Sequence, residues 1–324
     1  MHWGLISSSL LLLIGIVVLT IQIRTLLVTP MPLASGADNI IVINQSTTAR
    51  SLIKQLHEKQ LIQSPRLMLL LMKLQGTTTS LKAGIYEIYP SDSAVQFLYR
   101  VIDGDVLKET FVIIEGTTLS TVNANLKTAP YLKTTDNDWD AIAKAPEGLV
   151  LADTYQYDAG STGVKLLLRA NKALNQVLED VWSKRAEGIP YRTSYELLIA
   201  ASIIEKEANT PEEKKLVSSV IVNRLKKRMP LQMDPTVIYG LKDTYKGHLS
   251  KHDLKVDSPY NTYLHYGLPP TPIAMVGVDA LLAAAHPTPS NYLYYVAKGD
   301  GTHVFSANYK QQINAIHQYQ KGSR

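Results

Sequence analysis

The chain of 324 residues contains no cysteine. Disulfide staples, Cys-ligated zinc, iron–sulfur clusters, thiol nucleophiles and a lipid anchor on an N-terminal cysteine are therefore excluded. Phenylalanine is scarce as well, with three residues against eighteen tyrosines. An aromatic stock so rich in hydroxyls suits a wet, partly apolar surface better than a dry core. Charge is modest: 33 Lys and Arg against 28 Asp and Glu leave a formal net charge of +5. So mild an excess fits any acidic partner, whether membrane headgroups, a carboxylate-bearing polymer or nucleic acid. Low-complexity tracts and charge blocks are missing, and 45% of residues are hydrophobic. The chain is folded, and long enough for two ordinary domains or one large one.

Formal charge is also missing from Met1 to Ile23, and Leu5 to Ile23 is almost wholly apolar. Nineteen residues at about 1.5 Å each reach roughly 28 Å, close to the hydrocarbon thickness of a bilayer. The stretch lacks the polar stripe of a buried core helix, and residues 1–28 are expected to be a transmembrane anchor. A cleaved signal peptide is the rival, with Ala34, Ser35, Gly36 and Ala37 as small residues. Those residues stand about ten positions past the apolar stretch, which is itself longer than a usual signal core. No Lys or Arg precedes the span and Arg24 follows it, so charge says little about orientation. Residues 29–38, with Pro30, Pro32 and several small residues, read as a linker. No second apolar run of spanning length follows.

Between Asn39 and about Ala129, short β-rich runs alternate with amphipathic helices. Ile40 to Ile43 is a strand candidate. Ser46 or Thr47 can cap a helix carrying Leu52, Ile53, Leu56 and Leu61. A second helix starts from Ser64 with Pro65 at its first position and Leu67, Leu70, Leu71 and Leu74 on one side. Gly84 to Tyr89 alternates like a half-exposed strand. A helix over 91–102, a strand over 109–114 and a helix opened by Thr117 and Thr118 continue the series. A β-α-α-β unit over about 39–90 is compatible with a small LysM-like module, although its pattern alone favours a plain structural domain. From about Pro146 longer helices are predicted, over 161–186, 193–209 and 210–229. A Tyr-, Pro- and Gly-rich stretch follows, then a short strand over 292–297 and a last helix from Asn308.

The helix over 193–209 carries the most suggestive chemistry. Thr193 with Glu196, and Thr210 with Glu213, have the spacing of capping boxes, so the chain runs helix, break, helix. At about 100° per residue, Glu207 falls between Ile203 and Ile204, in line with Ala200. Glu205 projects nearly opposite, with Leu198, Ala201 and Ser202. A carboxyl on the aliphatic side of a buried helix end is disfavoured in its charged form, as a general acid near neutral pH requires. The competing reading is a solvated helix end. On the next helix Asn223 shares a face with Leu216 and Val220 and needs a partner. Lys226, Lys227 and Arg228 suit the solvated carbonyl end of that helix. The loops that follow hold Gln232, Tyr260, Asn261, Tyr263 and Pro269-Pro270. Their rigid rings and amides match sugar rings, or equally ordinary turn chemistry over a core.

Two other chemistries are weaker. His248 and His252 stand four apart without an accompanying carboxylate motif, so a surface position is expected and no metal site. His286 has no Gly-x-Ser-x-Gly partner for serine hydrolysis. No cofactor is expected.

Several ordered motifs resemble those of the endolytic murein transglycosylases, the YceG-like family. They are Ala201-Ser202-Ile203-Ile204-Glu205-Lys206-Glu207, Val222-Asn223-Arg224-Leu225 and Leu231-Gln232-Met233-Asp234-Pro235-Thr236-Val237-Ile238-Tyr239-Gly240. Tyr260-Asn261-Thr262-Tyr263, Gly267-Leu268-Pro269-Pro270 and Ala283-Ala284-Ala285-His286-Pro287 complete the set. The resemblance implies an α+β fold: a transmembrane helix, a small LysM-like domain with connecting α/β region over 39–145, and a mixed α/β catalytic domain over 146–324. It implies a single-pass protein of the cell inner membrane with its soluble domains in the periplasm. The implied partners are peptidoglycan glycan strands and peptidoglycan synthases; nucleic acid is not expected. The implied reaction cuts nascent strands between N-acetylmuramic acid and N-acetylglucosamine, leaving a 1,6-anhydro end. The family's catalytic glutamate corresponds to Glu207, the residue the helical wheel selects. Gln232, Asn261 and Tyr263 are expected to hold the glycan, with Asn223 as a brace. One departure stands out: Leu151-Ala152 precedes Asp153-Thr154-Tyr155 where the family usually has an aromatic residue and proline. No second carboxylate emerges at helix-fixed spacing. The alternative from another class is a membrane-anchored peptidoglycan-binding protein that recruits synthases without cutting.

Overall fold

A computed structural model describes residues 2–33, 39–144 and 147–319. Ala34 to Ala37, the candidate cleavage site and second half of the expected linker, and Pro146, the expected domain boundary, lie outside the described residues. The chain is α+β and divides into two units, 1–109 with 157–161, and 110–156 with 162–324.

The first unit opens with helix α1 (His2–Val28). Leu10–Val28 is long and apolar enough to cross a membrane. Its side chains are mostly exposed until the last turns, where Leu26 is buried. Strand β1 (Ile40–Ile43) pairs antiparallel with β2 (Gly84–Glu87), Ile40 opposite Glu87 and Ile43 opposite Gly84. Between them lie α2 (Ala49–Glu58) and α3 (Pro65–Leu74), and α4 (Ala94–Asp103) follows. Thr48, not Ser46 or Thr47, caps α2, because Ser51 three residues on can complete a reciprocal box with it. On α3 the buried pair is Met68 and Met72, while Leu70 and Leu74 are exposed. Apolar residues surround this helix on every side, so periodicity could not select its core face. Ile41, Leu52, Leu56, Met72, Tyr86 and Phe97 form the core. Leu26 and Met31 join it, and the chain after α1 is tied down by Met31 N–H to Asp92 O (2.8 Å) and Ser93 Oγ–H to Leu27 O (2.8 Å).

Strand β3 (Lys108–Val112) pairs with β4 (Thr154–Asp158), and the chain passes between units within these strands. The second unit adds α5 (Leu119–Thr128), α6 (Gly163–Ser183), α7 (Ser194–Glu207) and α8 (Pro211–Lys226). Then come α9 (Asp234–Leu241) and α10 (Val278–Ala285), both within the stretch read as loop. Each is only eight residues long, too short to stand out by periodicity. Strands β5 (Tyr294–Ala297) and β6 (His303–Ser306) form an antiparallel hairpin against α11 (Tyr309–Tyr319).

Helix α7 is the axis of this unit. Every residue from Leu197 to Glu205 is buried, with α6, α8, α9 and α10 packed around it. Ala280, Ala283, Ala284 and Ala285, all fully buried, let α10 approach closely. Burying side chains such as Ile203 and Ile204 contributes roughly 1.5–3 kcal/mol each relative to exposure. The expected capping boxes are half-formed. Thr193 Oγ1 accepts from Glu196 N–H, but the Glu196 carboxylate accepts from Arg192 N–H instead of returning to Thr193. Thr210 likewise accepts from Glu213 N–H, while the Glu213 carboxylate accepts from His303 N–H. Backbone N–H groups outside the helix won both carboxylates.

Candidate active site

Glu207 is the last residue of α7, and extended backbone at Ala208 stops the helix there. Its side chain lines a cleft of about 160 Å³, together with Arg224 from α8, Gln232 just before α9, Asp234 at the start of α9, Tyr263, and Tyr295 from β5. Glu207 is partly exposed, its open side being this cleft. Loss of solvation lifts its pKa from the ordinary 4.5 to about 7; a hydrogen bond with the Tyr295 hydroxyl pulls it down, and the Asp234 charge adds to the rise. Near neutral pH the group therefore exists in both protonation states, able to give a proton and take one.

Glu205, two residues earlier, has a different setting. Its Oε1 lies 2.5 Å from Lys214 Nζ, and its Oε2 accepts from Gly277 N–H at 3.0 Å. Both side chains of the ion pair are 3% exposed. Glu205 thus ties α7 to α8 and α10, and its oxygens are occupied.

The other expected site residues separate into two groups. Gln232 and Tyr263 reach the cleft. Gln232 sits at φ 52°, a left-handed conformation for a residue with a side chain, held by its N–H to Thr262 O (3.0 Å). Its Oε1 accepts from Arg224 Nη1 at 3.1 Å. The Tyr263 hydroxyl donates to Asp234 Oδ1 at 2.6 Å, and burial beside that charge raises its pKa. Asn261 and Asn223 do not line the cleft. Asn261 is fully buried, donating to Leu254 O and Val256 O while its Oδ1 accepts from Tyr263 N–H. It shapes the loop that presents Tyr263. Asn223 donates to Ser290 O (3.0 Å) and Tyr292 O (2.9 Å), holding the segment that leads into β5.

Sequence reasoning passed over Arg224, Asp234 and Tyr295. Arg224 is buried, donating to Leu293 O, Pro230 O and Leu231 O, and burial lowers its pKa. Its visible signals were an arginine close to Val220, Ile221 and Val222 and its place in the Val222-Asn223-Arg224-Leu225 motif. Asp234 begins α9, and the Asp-Pro pair is a helix-start signature that could have revealed it. It supplies the second carboxylate that helix spacing could not show, since it comes from a different element. The Tyr295 hydroxyl, 3.0 Å from Met233 Sδ, is buried beside Glu207, which raises its pKa well above the ordinary value. Nothing in its strand distinguished it from Tyr292 or Tyr294.

Leu151 and Ala152 are buried; Ala152 N–H bonds Val276 O at 2.9 Å, away from the cleft lining. His248 and His252 are exposed. Among the described residues, no group of three His, Asp or Glu side chains is arranged to hold a metal.

The family model described as the YceG-like family matches residues 41–318. The chain is 38% identical over 174 residues to a Bacillus subtilis protein named endolytic murein transglycosylase, covering 53% of this chain and 48% of that one. It is 28% identical over 277 residues to a Streptococcus pneumoniae protein of the same name, covering 71% and 49%. The chain spans about half the length of the curated relatives it matches. It also resembles a crystal structure of a YceG-like protein from Listeria monocytogenes. That match has a TM-score of 0.52 at 28% identity, over 85% of this chain and 98% of the other.

Proposed function

The chain belongs to the YceG-like family, and from that premise we propose that it is an endolytic peptidoglycan lytic transglycosylase. It cleaves the β-1,4 bond between N-acetylmuramic acid and N-acetylglucosamine inside nascent strands and ends their elongation. The observation that carries this reading is one carboxyl, Glu207, with a pKa of about 7 at the wall of a cleft. Protonated Glu207 gives its hydrogen to the leaving glycosidic oxygen as the C1–O bond breaks. The sugar's own 2-acetamido group supports the charge developing at C1. Glu207, now a carboxylate, takes the proton from the muramyl 6-hydroxyl, whose oxygen closes on C1. No water is consumed, and the acid is regenerated.

Gln232 and Tyr263 face the strand from the cleft, while Asn261 and Asn223 hold the segments that shape it. The β1-α2-α3-β2 unit is a LysM-like module within residues 39–145, and residues 146–324 form the catalytic domain. Helix α1 is a single-pass anchor in the inner membrane, with the remainder in the periplasm, where synthases are the expected neighbours.

Asp234 favours a second reading. A carboxylate facing the acid across a cleft could direct water at C1, as in inverting hydrolases. The Tyr263 hydroxyl on its Oδ1 argues for a positioning role instead. The products separate these readings. Purified full-length protein in detergent, incubated with uncrosslinked glycan strands, should release fragments ending in 1,6-anhydro-muramic acid, and Glu207→Gln should release none. Reducing-end products would identify a hydrolase. Strand binding without any product would identify a tether that recruits synthases.

A further inference from the structure

A second and larger concavity in the same unit, about 580 Å³, is untouched by the chemistry at Glu207. It lies at the opposite end of α7. Glu196 lines it and Glu207 lines the catalytic cleft, eleven residues and therefore about 16 Å apart along the helix axis. The two openings share structural elements. Arg224 lines the cleft and its neighbour Leu225 the groove; Tyr263 lines the cleft and Tyr266 the groove.

The groove's lining is specialised. Tyr195 and Tyr266 are 40% and 72% exposed, two large rings left in solvent on one concavity. Single exposed apolar residues need no explanation, but two rings on a groove lined also by Pro269 and Pro270 offer stacking platforms. Beside them Arg192 and Glu196 are locked together. Arg192 Nη2 and Nε donate to Glu196 Oε1 (2.6 and 2.9 Å), and Arg192 N–H donates to Oε2 (2.7 Å). This gives a preset pair of donor and acceptor groups next to flat apolar faces. A pyranose ring presents the same combination, C–H faces with hydroxyls and amides at the rim.

We infer that this groove is a distal saccharide subsite, which takes sugars of the same glycan strand several rings away from the scissile bond. The inference rests on the glycan-cleaving reading of the Glu207 cleft. A strand held at both ends of α7 presents an internal bond to Glu207, so the groove favours cuts within long strands over cuts in short fragments.

The test measures binding apart from chemistry. In the Glu207→Gln full-length protein, affinity for long uncrosslinked strands is compared with and without Tyr195→Ala and Tyr266→Ala. Both rings are exposed, so the variants should unfold at the same temperature as their parent. The inference expects about tenfold weaker strand binding in the double variant. With Glu207 restored, the KM for long strands should rise to match, while kcat and turnover of the shortest cleavable oligosaccharide stay unchanged. Equal affinity for long strands, or equal losses on long and short substrates, would overturn the subsite. So would loss of binding to isolated stem peptide with strand binding intact, which would mark a peptide groove. Failure of the catalytic reading shows separately, as absence of product from the unsubstituted protein.

Discussion

Replacing Glu207 with Gln should stabilise the protein, and by an amount that grows with pH. The carboxyl's pKa rises on folding from an ordinary 4.5 to about 7. Each tenfold change in acidity corresponds to about 1.4 kcal/mol, so, allowing for the face open to solvent, the charged form costs the fold about 2–3 kcal/mol. Between the two pKa values the folded state binds more protons than the unfolded state, and stability falls as pH rises. The cost is absent below about pH 4, grows through the interval and is complete above about pH 8. Glutamine carries no charge at any pH and escapes it. Thermal denaturation of both proteins from pH 4 to pH 8 should therefore give melting temperatures whose difference widens with pH. At about 2–4 °C per kcal/mol for a domain of this size, the widening should reach about 4–12 °C in the transition of the second unit. Glutamine and glutamic acid are nearly the same size, so packing differences contribute a constant offset. A difference that stays level across the range would refute the raised pKa, and with it the reason Glu207 can serve as acid and base in turn.

Asp234→Asn removes a charge that helps keep Glu207 protonated, so the alkaline fall-off of cleavage should move to lower pH. The move should be smaller than the rise due to burial, which is the larger cause; an unmoved or upward-moved limb in a pH–rate profile would contradict the geometry. Lys214→Met leaves the Glu205 charge buried with only Gly277 N–H and should cost about 3–5 kcal/mol in denaturant unfolding. The double variant Glu205→Met, Lys214→Met should recover most of that loss, and additive losses would contradict a coupled pair. Deleting residues 1–33 should destabilise the first unit, because it removes Leu26 and Met31 from the core, whereas deleting 1–20 should not; limited proteolysis distinguishes the two.

The long elements were legible because their patterns are long. Helices α6, α7 and α8 fall close to where periodicity and caps placed them, and Asn223 has the partners its core-facing position demanded. The helical wheel selected Glu207 over Glu205 on the premise that only one side of α7 is sheltered. In the structure both sides are buried, and the distinction is made by Lys214, which occupies Glu205 and leaves Glu207 facing the cleft. Lys214 lies on another helix, and a wheel cannot see it. Asp234 and Tyr295 stayed hidden for the same reason, since each is brought to Glu207 by tertiary packing. Asn261 has the composition of a sugar ligand, but two backbone carbonyls claim its amide.

The claim that the ring closes without water is tested most directly by running cleavage in water enriched in oxygen-18 and weighing the new muramyl ends. The account predicts fragments whose new ends carry no added mass from the solvent, because the oxygen joined to C1 comes from the sugar's own 6-hydroxyl. New ends that are heavier by one labelled water would show that solvent attacks C1, and would contradict the assignment of both proton transfers to Glu207 alone.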